Sequence, residues 1–276
     1  MSAEVYKRAY VEVLGVRTHY LEAGSGPDLI LLHSGEYGSS AEISWRHNIP
    51  GLAKHFRIRA PDLPGWGDSD KIYSFSERTG FRVRHIAEFC RIMGVESAYF
   101  IGSSFSSGLL LNAAGSSNNI LPIAKLITVG GGGDLARDST ARDVLQTYDG
   151  SPEHMRKALQ VLFYDEKWWS DERVAEKQES ALKPGAWEAI SAARLRRPGE
   201  TFVTQFPDSK PENIKVPTLI VAGADDQIKD PDWGEKLQRQ IPGSELHTFE
   251  KSRHMSHIEH VDQFNELAVS FFLERN

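Results

Sequence analysis

Apolar positions along this chain fall into short runs that alternate with longer amphipathic stretches. Residues 10–21 alternate apolar and polar side chains and turn at Gly15, which predicts a β-hairpin. Residues 28–33 form a continuous apolar run after Gly26-Pro27, the signature of a strand buried on both faces of a parallel sheet. A small-residue loop, 33–40, follows. The pattern then predicts a helix over 45–55, a strand over 56–61, a Gly/Pro loop over 62–70, and a helix over 77–93 stopped by Gly94. A short apolar run, 99–101, enters a Gly/Ser cluster, and a helix-compatible run, 109–114, leaves it. Residues 123–129 read as another buried strand, closed by the glycines 130–133.

Strands alternating with helices in this way predict right-handed βαβ units in an α/β fold with a doubly wound, mostly parallel sheet. The alternation breaks over 134–206, which is helical in pattern, charged and Trp-rich (Trp168, Trp169, Trp187). It resumes with a strand over 216–223, a helix over 231–240, a strand over 244–249 and a terminal helix over 259–274. The expected organisation is a core built from 1–133 and 207–276, with 134–206 inserted as a helical cap over the active-site edge. No internal repeat or low-complexity tract occurs.

Composition narrows the classes. The chain has 276 residues, 40% hydrophobic and 25% charged, with a formal net charge of −6. The net negative charge and the lack of a Lys/Arg block argue against nucleic acid as a partner. No run of about 18 apolar residues predicts a membrane span, and the N-terminal residues carry no apolar signal region. The single cysteine, Cys90, sits on a helical face and reads as a small core residue. These features fit a cytoplasmic protein that needs no cofactor or metal and acts on a small-molecule substrate, with a homodimer left open.

The Gly/Ser cluster carries the chemistry. A strand turning sharply into a helix around a serine is a nucleophile elbow, usually spelled G-x-S-x-G; here it reads Gly102-Ser103-Ser104-Phe105-Ser106, with Ser104 as nucleophile. A serine nucleophile needs a base, an acid that orients the base, and oxyanion donors. In open α/β sheets such groups sit at the carboxyl ends of strands. The strand over 216–223 ends at Asp225-Asp226, of which Asp226 is preferred. The strand over 244–249 leads to His254, preferred as base over His257. The backbone N–H groups of Ser34 and Gly35, with that of Phe105, suit an oxyanion hole; the His33 ring reads as structural. A metal site built from His33, His254 and His257 has no supporting spacing.

Taken together, these motifs and the run Ala60-Pro61-Asp62-Leu63-Pro64-Gly65-Trp66-Gly67-Asp68-Ser69 resemble the α/β-hydrolase superfamily over nearly the full length. Within it the chain is most similar to the meta-cleavage product hydrolases, which cleave a carbon–carbon bond in vinylogous 1,5-diketones made by ring-opening dioxygenases. Three stretches carry that similarity: residues 36–50, the cap run 181–188, and residues 259–265. The resemblance implies a triad of Ser104, Asp226 and His254, oxyanion amides at Gly35 and Phe105, and substrate contacts at Ser44, Trp187 and Met255. It also implies a cap arginine on the substrate's acidic end, matched here by Arg196.

The chain departs from that pattern at several places. Ser34 replaces a glycine, Ser106 the last elbow glycine, and Arg253 the glycine before the base. Ser44 stands for an asparagine and Met255 for a tryptophan. Because several of these line the expected pocket, a carboxylic ester or lactone is an alternative substrate. A non-hydrolytic lyase, cyclase or receptor on the same fold is a further one.

Overall fold

The computed structural model describes residues 5–133, 139–195 and 206–274. Its sheet has eight strands: β1 (Lys7–Val13), β2 (Val16–Ala23), β3 (Asp28–Leu32), β4 (Arg57–Pro61), β5 (Ala98–Ser103), β6 (Ile123–Val129), β7 (Thr218–Gly223) and β8 (Glu245–Phe249). They lie in the order β1-β2-β4-β3-β5-β6-β7-β8. β1 and β2 form the expected hairpin, turning on Leu14 and Gly15 at φ +53° and +75°. Such a turn matches the twist of the strands it joins. β2 pairs antiparallel with β4, and every later pairing is parallel.

Side-chain alternation divides the interior into two cores. Ile30, Leu32, Phe100, Leu126 and Ile220 face one side of the sheet. Leu29, Leu31, Ile101, Ile127 and Leu219 face the other. Successive residues of one strand thus serve opposite cores, which is why these strands read as unbroken apolar runs. The first core is covered by α3 (Thr79–Ile92) and α4 (Phe105–Ala114). The second is covered by α1 (Ala41–Trp45) and α2 (Ile49–Leu52), through Trp45, Ile49 and Leu52.

Among the described residues, four α-helices fall between β6 and β7: α5 (Thr140–Gln146), α6 (Pro152–Leu162), α7 (Asp171–Ala181) and α8 (Ala186–Ser191). A 3₁₀ turn, Glu166–Trp169, links α6 and α7. Met155, Leu159 and Val174 join the first core, so these helices pack onto the body of the protein rather than standing apart. Three helices follow: α9 (Trp233–Gln240), α10 (Ser256–Glu259) and α11 (Val261–Leu273). Phe264 and Phe272 of α11 complete the second core.

Two helices differ from expectation. The stretch 45–55 is not one helix but ends and restarts. Ser40 caps α1 by accepting the Ile43 N–H at 3.1 Å, so the helix begins earlier. Pro50 lies in the first turn of α2, where its missing N–H costs nothing, and so marks a new start. The terminal helix likewise divides into α10 and α11 at His260. Cys90 is buried, and burial pushes its thiol up to about 12, leaving it inert. Among the described residues no helix is long and apolar enough to cross a membrane.

Candidate active site

β5 runs into α4 through Ser104, which sits at φ +51° and ψ −108°. A side chain in that region costs of order 1–3 kcal/mol, and such strain persists only where its surroundings impose it. Those surroundings are visible. The Ser104 N–H donates to the Val129 carbonyl at 2.7 Å. The Ser107 hydroxyl donates to the Gly102 carbonyl at 2.6 Å and accepts the Val129 N–H at 3.1 Å. A Cβ at Gly102 would fall 2.8 Å from the Ser107 nitrogen, so the strand and helix approach too closely there for a larger residue. Ser106, where a glycine is usual, fits because its hydroxyl donates to the His33 carbonyl.

The strained turn lifts the Ser104 hydroxyl to 2.7 Å from Nε2 of His254. On the other side of the ring, Nδ1 lies 2.7 Å from Oδ2 of Asp226. A carboxylate only accepts, so Nδ1 carries the proton and Nε2 is free to accept from the serine. The side chains of His254 and Asp226 are 3% and 2% exposed. The second Asp226 oxygen accepts the Ile228 N–H at 2.9 Å, fixing the carboxylate. Asp225 is exposed, and its N–H donates to the Ser252 carbonyl, so it holds the turn. His257 is fully buried with its ring packed on Trp45 and Phe264, and burial pushes it down to about 3. It is a neutral core residue.

The loop that presents His254 is tied from several directions. The His254 N–H donates to the Leu162 carbonyl at the end of α6, at 3.1 Å. Glu259 accepts the Arg253 N–H at 2.8 Å and the Tyr164 N–H at 2.6 Å. The Arg253 guanidinium, at a position where glycine is usual, donates to the Gln160 carbonyl and so binds the loop to α6.

The loop after β3 is held from beneath. His33 accepts the Leu63 N–H at Nε2 (2.9 Å) and donates from Nδ1 to the Ser34 carbonyl (2.6 Å). Burial pushes its pKa down and keeps it neutral. Gly35 abuts the elbow: a Cβ there would fall 2.6 Å from the Cβ of Phe105. Phe105 opens α4, so its N–H has no carbonyl a turn earlier to bond. Asp62 accepts from the N–H groups of Ala41 (2.6 Å) and Asp68 (2.8 Å) and from His19 (2.7 Å). Burial opposes its charge, yet these donors hold its carboxyl below the usual range.

Two pockets flank the loop after β3. Ser34, Ser44 and Met255 line the first, with Lys177 and Glu36. Lys177 and Glu36 form a buried ion pair at 2.6 Å that joins α7 to the loop. Burial would raise the Glu36 carboxyl, but Lys177 holds it below its ordinary value. Gly35 and Phe105 line the second pocket, with Arg82 and Arg194. Trp187 lines neither of these two pockets. Its indole N–H donates to the Tyr148 carbonyl at 3.1 Å, and its ring stacks on Tyr37. Arg196 lies outside the described residues. Lys177, Glu36 and Glu259 escaped sequence reasoning, since Lys177 and Glu36 meet across 141 residues and Glu259 ties its own loop to Tyr164, 95 residues away. Arg82 had a signal: with His85, Ile86 and Phe89 it forms the i, i+3, i+4, i+7 stripe that α3 buries. Among the described residues no three His, Cys, Asp or Glu side chains converge as metal ligands.

Comparison with known proteins places this geometry. The profile of the α/β-hydrolase fold family matches residues 28–261. The chain is 27% identical over 262 residues to the 2-hydroxymuconate semialdehyde hydrolase of Pseudomonas sp. (strain CF600), covering 94% of this chain and 92% of that protein. It is 29% identical to the 2-hydroxy-6-oxo-6-phenylhexa-2,4-dienoate hydrolase of Comamonas testosteroni, over 93% and 91% of the two chains. The crystal structure of a meta-cleavage product hydrolase from Pseudomonas fluorescens IP01 superposes with a TM-score of 0.86 at 29% identity, covering 97% of this chain and 98% of that one. With its sheet order, its elbow and a profile match spanning most of its length, the chain belongs to the α/β-hydrolase fold family and is an α/β-fold hydrolase.

Proposed function

We propose that this hydrolase cleaves a carbon–carbon bond in a ring-opened dienoate, a vinylogous diketone, with Ser104 as nucleophile, His254 as base and Asp226 as its orienting acid. The observation that carries the reading is the unbroken chain of two 2.7 Å contacts from Ser104 through His254 to Asp226, on a strained elbow. The activities of the relatives, all hydrolases of such dienoates or semialdehydes, supply the bond type.

The chemistry follows from those positions. Ser104 Oγ attacks the ketone carbon as its proton passes to Nε2 of His254. The Gly35 N–H, on the loop that Ser34 shares, and the Phe105 N–H, at the start of α4, stabilise the oxyanion. Asp226 holds the Nδ1 proton and balances the imidazolium. Collapse breaks the carbon–carbon bond. Its electron pair passes through the conjugated system onto the far carbonyl oxygen, where His254 delivers its proton, so that one product leaves as a dienol. Water then attacks the acyl-serine, again losing a proton to His254, and releases a carboxylic acid.

The insertion, residues 134–206, acts as a cap over this site. Support comes from its two ties to the machinery: the Leu162 carbonyl on the His254 loop and Lys177 on Glu36. A carboxylic ester or lactone is the second reading. It is favoured by the first pocket, where the hydroxyl of Ser44 and the thioether of Met255 stand in place of an amide and an indole.

The test is turnover of a ring-opened dienoate and of a short aryl ester, side by side, by wild type and Ser104→Ala. Dienoate cleavage at about 1 s⁻¹ or faster, reduced at least about 10³-fold in the variant, is the expected result. Ester hydrolysis alone would move the assignment to the second reading. Dienoate cleavage that survives in Ser104→Ala would remove the nucleophile.

A further inference from the structure

The first pocket has a dry wall and a wet one. Leu159, Phe163, Met255 and Ile258 line it and are buried, as are Ser34 and Ser44. The lining side chains that reach solvent are chiefly Arg46, His47, Trp168, Arg173 and Glu176. These five form one connected cluster. Arg46 and His47 follow α1 in the core, whereas Trp168 lies in the 3₁₀ turn and Arg173 and Glu176 on α7, so the cluster bridges core and insertion. Glu176 accepts two guanidinium N–H bonds from Arg46 and, at 3.2 Å, one from Arg173. A guanidinium only donates, so Nε2 of His47 accepts from Arg46 at 3.3 Å and from Arg173 at 3.0 Å. Burial and the Arg46 charge push His47 down, which keeps the ring neutral as that role requires. The His47 ring meets Trp168 edge-on at 5.3 Å, and the Arg173 guanidinium lies over the Trp168 ring at 5.1 Å.

One anion holds this cluster shut. Arg46 and Arg173 carry like charges and meet on the Glu176 carboxylate between them. Their side chains are 20% and 27% exposed and that of Glu176 is 38% exposed. Ion pairs so open to water are weak and exchange readily. The inner tie between α7 and the core, Lys177 to Glu36, is by contrast buried, and a second tie joins Lys183 to Asp68 at 2.6 Å. The wet wall can therefore open by side-chain rotation while α7 stays in place.

We infer that Arg46, His47, Arg173 and Glu176 form a latch over the first pocket, through which ligands enter and leave, and that the latch must open for each passage. The inference concerns access and not the bond cleaved, so it stands or falls apart from the proposed reaction. A latch of this kind sets rates without touching the ligand, as lids do. Weakening it speeds entry and exit together and moves the equilibrium less.

The probe is 4-nitroacetophenone, an uncharged aryl ketone that suits the apolar wall and whose nitro group quenches indole fluorescence. Its binding to the full-length protein is followed by stopped-flow tryptophan quenching, and Trp168→Phe identifies the part of the signal that arises at the first pocket. Glu176→Gln leaves two guanidinium groups facing one another without their carboxylate. It is expected to raise the association and dissociation rate constants both at least about fivefold, with a smaller change in Kd. Raising sodium chloride from about 0.01 M to about 1 M shortens the Debye length from about 30 Å to about 3 Å. It should speed both rates in the wild type and do less in Glu176→Gln. The salt series on the wild type needs no variant and decides alone if Glu176→Gln does not fold. Rates that respond to neither change, a Kd that shifts with one rate constant only, or no quenching through Trp168, overturns the inference.

Discussion

The hydroxyl of Ser106, in the first turn of α4, donates to the backbone carbonyl of His33 at the end of β3. Both residues are fully buried. One hydrogen bond therefore joins the elbow that presents Ser104 to the loop that presents Gly35. Replacing Ser106 with alanine leaves a buried carbonyl unsatisfied, a loss of about 1–3 kcal/mol. We expect Ser106→Ala to lower stability in urea by that amount and to lower kcat more than it raises KM, because the proposed oxyanion donors, the Gly35 and Phe105 N–H groups, lose their fixed spacing. Unfolding curves and steady-state kinetics check both. A variant as stable as wild type with unchanged kcat would show that the link positions nothing.

Asp226 governs the tautomer of His254. In Asp226→Asn the amide has both a donor and an acceptor, and an amide N–H facing Nδ1 would force the ring proton to Nε2, against Ser104. The expected loss is about 10⁴-fold in kcat with little change in fold, since the Ile228 N–H can still bond the remaining oxygen. Steady-state turnover with circular dichroism as a fold control measures it. A loss below tenfold would remove Asp226 from the mechanism.

Ser104 and Asp226 were legible because each follows a strand whose apolar run is plain, and His254 because it follows the last strand of the same alternation, although β8 itself is largely polar. β5, β7 and β8 are parallel strands of one sheet, with β6 between β5 and β7, and their carboxyl ends must share an edge. The choice of Asp226 over Asp225 needed the turn itself, in which the Asp225 N–H closes onto Ser252. The Lys177–Glu36 pair was invisible, since its partners lie 141 residues apart. Pro50 was readable in principle: a proline inside a predicted helix marks a first turn, and the interruption before α2 follows from it. Arg82 broke the apolar stripe of α3. A local rule violated at a buried position is where function is to be looked for.

Glu259 positions the base through its loop. It accepts the N–H groups of Arg253 and Tyr164, one on each side of the contact between the His254 loop and the end of α6. Glu259→Gln keeps the size and one acceptor oxygen; Glu259→Ala keeps neither. The alanine variant is expected to lose about 10–100-fold in kcat, of the order a misplaced base costs, and the glutamine variant to recover most of it. Parallel kinetics on the pair provide the check. Equal loss in both would mean that the charge, not the anchoring, is what matters.

Buried histidines, His85 and His257 among them, help set the acid limit of the fold. Burial pushes His257 down to about 3 and His85 down to about 4, both below the ordinary value of 6.5. Their folded-state pKa values are depressed, so above pH 6.5 both are neutral folded or unfolded and their titration contributes no pH dependence. As pH falls below 6.5 the unfolded chain takes up protons that the folded chain refuses, and stability falls with it until the folded groups themselves titrate. Each group contributes a slope approaching 1.4 kcal/mol per pH unit in that window. Between pH 6.5 and 5 the pair is therefore expected to remove about 3–4 kcal/mol. Replacing His85 with glutamine, which can still meet the Thr18 hydroxyl that His85 contacts at 2.8 Å, should lower the slope by that residue's share, approaching about 1.4 kcal/mol per pH unit. Urea unfolding at a series of pH values measures it. A slope unchanged in His85→Gln would assign the acid sensitivity to other groups.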